Sequence, residues 1–301
     1  MWDDGLIYRG ERIVNYCTKH DTSFADIEVE YKDEKSFLWT IAFPLADGSD
    51  FIEIATTRPE TMVGDVAVAV NPNDTRYTGY IGKEIALPLT DRKIPIIADE
   101  MVDVEFGTGA VKITPAHDPN DFDVVERHKE LPRLSVIGFD GKMNENAPEK
   151  YRGLDVLEAR REILDDLKEL NLLTEVTDYV HSVGHCYKCG TPIQPLLKDQ
   201  WFIKVESLAK KAIDAIDAGE VKFTPDNKGR VLVNYLKNLK DWNISRQIPW
   251  GIPMPAFQNT EDPEDWIFDE RVGEETLVID GKTYKRDSDT FDTWFSSGQW
   301  P

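Results

Sequence analysis

Short alternating apolar and polar runs, separated by Gly, Pro, Asn and Asp, fill the first half of the chain. They cover Phe37 to Ala42, Phe51 to Thr56, Val66 to Val70, Ile94 to Ala98 and Val102 to Thr114. This spacing predicts strands joined by turns, and so many in succession predict a β-barrel or tightly curved sheet. Helices are expected around it. One is predicted from Asp121 to Lys129 and another from Leu154 to Leu170, where Leu157, Leu164 and Leu167 set a helical stripe that reads as core packing. Beyond Cys189 the pattern turns helical, with Leu208, Ala212, Ile213 and Ile216 on one face before a stop at Gly219. Val231, Leu232, Tyr235, Leu236 and Leu239 form another such face, and a second domain is expected to begin here.

The densest chemistry lies between Phe106 and Asp121. Gly107 and Gly109 flank Thr108, so the backbone can turn tightly or approach another group closely. Alternation then places Lys112 and Thr114 on one strand face, and Pro115 ends the strand. Asp118-Pro119-Asn120-Asp121 reads as a helix start, with Asp118 as N-cap and Pro119 at the first helical position. Asp118 either caps this helix or joins a ligand site, and the sequence leaves both open. Asp121 serves the helix dipole or clamps an ammonium group, the latter favoured by the lysine strand beside it. Together with His117 these groups suit a small polar ligand. A metal-dependent phosphohydrolase would need further His and Asp at metal spacing, which five histidines do not supply.

With 301 residues, 41% hydrophobic and 10% aromatic, the chain can build two cores. No apolar run reaches membrane-span length, and the acidic start Met1-Trp2-Asp3-Asp4 is unlike a secretory signal, so a cytoplasmic location is expected. A net charge of -21 argues against a broad basic nucleic-acid surface, so any such partner must be gripped locally.

Cys17-Thr18-Lys19-His20 and Cys186-Tyr187-Lys188-Cys189 each place two ligands three residues apart. Together Cys17, His20, Cys186 and Cys189 would give the four N/S ligands of a closed, structural zinc site. His181 and His185 are rival ligands, and His20 is preferred because it repeats the Cys186 to Cys189 offset. Everything between the two pairs would then be an insertion.

Thr56-Thr57-Arg58-Pro59-Glu60-Thr61, Gly107-Thr108-Gly109-Ala110-Val111-Lys112 and Pro115-Ala116-His117-Asp118-Pro119-Asn120-Asp121 together resemble the editing domain of the valyl-tRNA synthetases. The likeness extends outwards. Tyr8-Arg9-Gly10 through Cys17, Val183 through Cys189 and Gln200-Trp201-Phe202 resemble the zinc-bearing flanks of that domain. Asp241-Trp242-Asn243-Ile244-Ser245-Arg246-Gln247 and Phe291-Asp292-Thr293-Trp294-Phe295-Ser296-Ser297 are similar to catalytic-domain segments of class I synthetases for branched aliphatic amino acids. Within that group the isoleucine enzymes usually carry glycine where Asp118 stands, and the leucine enzymes Gln-Arg where Pro119-Asn120 stand. Ile248-Pro249-Trp250-Gly251-Ile252 is closer to those two groups, and His20 replaces the usual cysteine.

The resemblance implies a mixed α+β fold. It comprises an N-terminal connective segment with the first zinc pair (1–36), a β-barrel-like editing domain with peripheral helices (37–180), a zinc-knuckle return connection (181–205) and a helical/α-β remnant of a class I catalytic domain (206–301). It also implies hydrolysis of threonyl-tRNA(Val) at the tRNA 3′ end. The ATP-binding signature and lysine-rich loop of the family are absent, so ATP use is expected only of a full-length parent. A valine-shaped pocket rejects the nearly isosteric threonine only about a hundredfold, and valine enzymes are the known example of that limit. On this reading Asp121 holds the α-ammonium, and Lys112, Thr114 and Asp118 sense the hydroxyl. Thr56, Thr57, Arg58, Thr61, Gly107 and Thr108 face the terminal adenosine, with Arg58 alternatively an ion-pair partner of Glu60 or a nearby carboxylate, while Phe106 either stacks on adenine or closes the core, core first. The zinc is structural and the chain a monomer. The alternatives are an isoleucyl or leucyl editing fragment, and a non-catalytic zinc-ribbon module that binds RNA or protein.

Overall fold

A computed structural model describes residues 1–300; Pro301, the last residue of the expected 206–301 segment, lies outside the described residues. The chain divides into two compact units, one of residues 13–21 and 26–197 and one of residues 1–12, 22–25 and 198 onwards.

The first of these units is built from two sheets. In one, Val29–Pro44 lies between Phe51–Thr56 and Leu173–Cys186, all antiparallel. Its long ladder runs from Val29 opposite Cys186 to Ile41 opposite Leu173, with an irregularity between Thr40 and Ile41. The other has the order Glu84–Ala86, Lys93–Ala98, Ala67–Val70, Ala110–Ile113. Ala67–Val70 is buried at every position, as befits a strand covered on both faces. It pairs parallel with Lys93–Ala98 and antiparallel with Ala110–Ile113.

A mixed, sheet-rich unit therefore stands where a closed barrel was expected. The two sheets meet through one bridge, Leu45 to Ile85, and the Ala46 N–H to Glu84 O bond of 2.8 Å. Among the described residues no ladder joins Phe51–Thr56 to Ala110–Ile113. Only Ala110–Ile113 of the expected Val102 to Thr114 run is strand, because the segment up to Gly109 turns, with Gly107 and Gly109 at positive φ, and leaves too little extended chain for a closing ladder.

Asp118 caps the Pro119–Arg127 helix, accepting from the Asn120 and Asp121 N–H groups. Val124 and Val125 bury this helix against Val66, Ala67, Ala69 and Ile113. The second helix, Val156–Glu169, buries Val156, Ala159, Ile163 and Leu167. Of the expected stripe Leu167 is fully buried, but Leu157 is 60% exposed, because at the start of the helix the buried positions are Val156 and Ala159.

In the other unit Trp201, Ile203, Ile244, Met254, Ala256 and Phe295 form a core with Ile7. Trp242–Asn243 pairs antiparallel with Phe202 and Ile203, and the order Trp266–Phe268, Ala256–Asn259, Lys282–Arg286, Thr276–Ile279 makes a separate sheet. The helices Glu206–Asp217 and Asn227–Lys237 form as the pattern predicts, but they bury only Ala209 and Gly229. Their apolar faces are largely exposed, Val231 at 59% and Tyr235 at 57%.

Candidate functional site

The 3-10 turn Pro59–Gly64 is buried at all six positions and delivers Thr61 and Asp65 to the strand carrying Lys112. Lys112 and Thr114 share a face because they are two residues apart on an extended chain. Lys112 Nζ donates to Thr61 Oγ1 at 2.9 Å, to Asp65 Oδ1 at 3.2 Å and to Thr114 Oγ1. Thr114 Oγ1 donates to the same Asp65 Oδ1 at 2.5 Å, while its backbone N–H reaches Asp121 Oδ2 at 2.8 Å. Lys112, Thr114, Thr61, Asp65 and Asp121 are all buried.

Burial is uneven in its consequences. Asp65 is 0% exposed and its Oδ2 finds no partner. Loss of hydration pushes its carboxyl above the ordinary range, against the pull of Lys112 and Thr114. Asp121 is pushed up to about 8, first by burial and then by the neighbouring Asp118 charge, with Lys112 and the Thr114 N–H opposing. At neutral pH Asp121 is thus mostly protonated.

Arg58 ties the Thr56-Thr57-Arg58 turn to the same region. Its backbone N–H donates to Thr56 Oγ1 at 3.0 Å, Nη1 donates to the His117 carbonyl at 2.9 Å and Nη2 to Gln194 Oε1 at 2.6 Å. Glu60, fully buried, takes Arg160 in two bonds of 2.8 and 2.9 Å and Arg58 Nε at 3.3 Å. Burial alone would raise the Glu60 carboxyl, but the two guanidinium groups outweigh it and hold the acid below its ordinary range. Thr57 is half-buried beside this turn.

His117 is occupied by backbone. Nε2 accepts from the Val136 and Ile137 N–H groups at 2.9 and 3.3 Å, and Nδ1 lies 3.4 Å from the Pro195 carbonyl. Burial, with Arg58 and Lys112 nearby, depresses it to about 3, so it is neutral at physiological pH. Phe106 is 56% exposed and not a core residue. Its turn is held by Tyr77, whose hydroxyl donates to the Thr108 carbonyl at 2.7 Å, and by Arg76 Nη2 on the Val104 carbonyl at 2.7 Å.

Cys17, His20, Cys186 and Cys189 converge in the same unit, with all their ligand atoms within 4.8 Å of one another. Cys17 Sγ lies 3.7 Å from Cys189 Sγ and 3.6 Å from His20 Nδ1, and Cys186 Sγ lies 3.5 Å from His20 Nδ1. These are close to the edges of a tetrahedron with metal–sulfur bonds of about 2.3 Å and metal–nitrogen bonds of about 2.0 Å. The donor set therefore fits a metal ion. His185 is engaged elsewhere, by the Val183 carbonyl at 3.0 Å and Glu34 at 3.0 Å.

Asp65, Arg160 and Arg76 were not among the residues the sequence pattern singled out. Asp65 left one signal, an acid inside the otherwise apolar Met62 to Val70 run.

The chain belongs to the tRNA synthetases of class I (I, L, M and V), whose family model matches residues 1–301. Its relatives are valine–tRNA ligases: it is 48% identical to that of Clostridium acetobutylicum over 301 residues, 100% of this chain and 34% of that protein. Likewise it is 51% identical to the valine–tRNA ligase of Carboxydothermus hydrogenoformans and 46% to that of Thermotoga maritima, again over 100% of this chain and 34% of each relative. The chain spans about a third of the length of these relatives. No helix among the described residues is long and apolar enough to cross a membrane.

Proposed function

We propose that the Lys112, Thr114, Thr61, Asp65 and Asp121 cluster is an editing site that hydrolyses threonyl-tRNA(Val). The observation that carries this reading is the buried cluster itself, in which Lys112 and Thr114 share Asp65 Oδ1, Asp121 takes the Thr114 N–H, and Asp65 Oδ2 lacks a partner. A threonine hydroxyl would satisfy an orphaned acceptor, whereas the methyl of valine would leave it unpaired at a cost of about 1–3 kcal/mol.

Asp121 holds the α-ammonium by a charge-assisted bond, with Lys112, Thr114 and Asp118 around the side chain. Asp118 also serves the helix cap through Oδ1. Arg58, Thr56, Thr57, Thr61 and the Phe106-Gly107-Thr108 turn contact the terminal adenosine. His117 is a positioning residue in this scheme, fixing the segment that carries Asp118. A bound water attacks the ester carbonyl, the bond to the ribose oxygen breaks, and the water's proton passes to that oxygen. Threonine and free tRNA leave. Among the described residues bonded within this cluster no serine or cysteine is present to act as a nucleophile, which favours direct attack by water.

Residues 37–180 constitute the editing domain, and Cys17, His20, Cys186 and Cys189 hold a structural zinc where its flanks return. Residues 206–301 belong to the catalytic domain and its connections, and ATP-dependent ligation resides in a longer parent.

The test is hydrolysis of threonyl-tRNA(Val) and valyl-tRNA(Val) at high protein concentration, beside the Asp121→Ala variant. Threonine-selective turnover that the variant loses is expected. Clearance of a mischarged isoleucine or leucine tRNA instead, or tRNA binding without any turnover, would overturn the reading.

A further inference from the structure

The turn that carries Asp65 is fastened at its C-terminal end by a residue the proposed chemistry does not use. Arg92 Nη2 donates to the Val63 carbonyl at 2.6 Å and Nη1 donates to the Asp65 carbonyl at 2.8 Å. Val63 and Asp65 are both buried. The last carbonyls of a helical turn have no partner within it, and burial makes an unpaired carbonyl costly. Here the Val66 N–H, three residues beyond Val63, goes instead to the Ile113 carbonyl at 2.8 Å. The guanidinium supplies the donors that the turn lacks.

Arg92 is itself set by the hairpin between Glu84–Ala86 and Lys93–Ala98. The Leu87 N–H donates to the Arg92 carbonyl at 3.0 Å, and the Arg92 N–H donates to Thr90 Oγ1 at 3.2 Å, whose hydroxyl donates to the Leu87 carbonyl at 3.0 Å. The side chain is half-buried, and no carboxylate lies within 4.0 Å of it among the described residues. A cation that gives up hydration for two carbonyls, with no ion pair in return, is placed for the backbone it holds. That backbone matters because of the donor count in the cluster. Lys112 Nζ has three hydrogens, and Thr61, Asp65 and Thr114 take all three. The Thr114 hydroxyl hydrogen goes to Asp65 Oδ1. Asp65 Oδ2 is left without a donor, and the backbone at residue 65 decides where it points.

We propose that Arg92 is a positioning residue for substrate selection, acting through Asp65: its two carbonyl bonds fix the backbone from which Oδ2 meets a substrate hydroxyl. The inference rests on the editing reading of the cluster and adds to it the residue that sets its selectivity from outside. The guanidinium charge works in the same direction. Burial raises the Asp65 carboxyl, and Arg92 joins Lys112 and Thr114 in opposing that rise.

The test titrates the full chain and its Arg92→Met and Arg92→Lys variants with non-hydrolysable threonyl-adenosine and valyl-adenosine analogues, and follows amide exchange across residues 61–66 in the same proteins. Arg92→Met should weaken the threonyl analogue at least about tenfold, the worth of one well-placed hydrogen bond to a charged group, and leave the valyl analogue unchanged. Exchange across the turn should quicken. Arg92→Lys, which keeps the charge and loses the fork, should fall between, and it decides the matter if Arg92→Met does not fold. Asp65→Asn should weaken the threonyl analogue by itself, and adding Arg92→Lys to it should cost no further selectivity. A general loosening of the fold would not produce that coupling. Selectivity unchanged in Arg92→Lys and Arg92→Met, or losses that simply add in the double variant, would overturn the role of Arg92. Equal binding of the two analogues by the unmutated chain would instead overturn the editing reading, and the selection role with it, whatever the exchange shows of the turn.

Discussion

Lys112 Nζ lies 3.2 Å from Asp65 Oδ1, and the second oxygen of that carboxylate is buried without a partner. The lysine is therefore the chief compensation for an acid that burial alone would neutralise. Lys112→Met should destabilise the chain by about 3–5 kcal/mol, because it strands a buried charge. Lys112→Met/Asp65→Leu should recover much of that loss, since both charges are gone. Urea unfolding midpoints measure both, and a double variant no more stable than the single one would show that the pair is not the source of the cost.

Asp121, pushed up to about 8, links proton release to ligand capture. Its native value is raised above the unfolded one, near 3.9, so its contribution to stability is fully present below about pH 4 and lost as pH rises through about 8. Asp121→Asn should flatten this part of the stability profile. Affinity for a non-hydrolysable threonyl-adenosine analogue should rise between pH 6 and 8 as Asp121 ionises. It should fall again as the analogue's own α-amino group deprotonates, near pH 7.7–8.0. Calorimetric titration in buffers of different ionisation enthalpy will count the proton released; no release at pH 7 would contradict the coupling.

The Cys17, His20, Cys186, Cys189 cluster should bind one zinc per chain, detected by elemental analysis of reduced protein. Metal at about a thousandfold above its dissociation constant stabilises the folded chain by about 4 kcal/mol. Chelation should lower the melting temperature accordingly, and Cys186→Ser should abolish the shift. Cys17 and Cys186 lie about 170 residues apart in sequence, so the loss should be felt at the end of the long ladder where Val29 pairs with Cys186. Identical melting with and without chelator in zinc-loaded protein would reject the site.

Much of this region was legible because its signals are local. The Asp118-Pro119 helix start, the Lys112 and Thr114 face and the two cysteine pairs each depend on spacing within a few residues. Asp65 was hidden because its partners are 47 and 49 residues away in sequence. The barrel failed for a similar reason: strand patterns give the faces but not the pairing, and here half of one expected strand is turn. Phe106 illustrates a further limit, since an aromatic beside glycines is as compatible with a half-exposed turn as with a core. The 206–237 helices were predicted correctly as helices, but hydrophobic spacing could not reveal that their faces are left uncovered.

The close approach of Gly109 to Arg76 gives the sharpest prediction about the Phe106 turn. Gly109 has φ +77°, and a Cβ there would collide with Arg76 Nη2 and stand 3.1 Å from Asp74 Oδ2. Arg76 cannot yield freely, because it is held by Asp74 Oδ2 at 2.6 Å and itself holds the Val104 carbonyl at 2.7 Å. Gly109→Ala therefore combines a left-handed backbone strain of about 1–2 kcal/mol with displacement of the guanidinium. Arg76→Ala removes the clamp but leaves the glycine unstrained. The two changes should consequently differ in stability, with Gly109→Ala the worse by about 1 kcal/mol or more, yet both should raise amide exchange across residues 103–109. If the turn positions Phe106 for an adenosine, both should weaken substrate binding more than they slow turnover at saturation. Equal exchange in wild-type and Arg76→Ala protein would mean that Tyr77, through its bond to the Thr108 carbonyl, holds the turn without help.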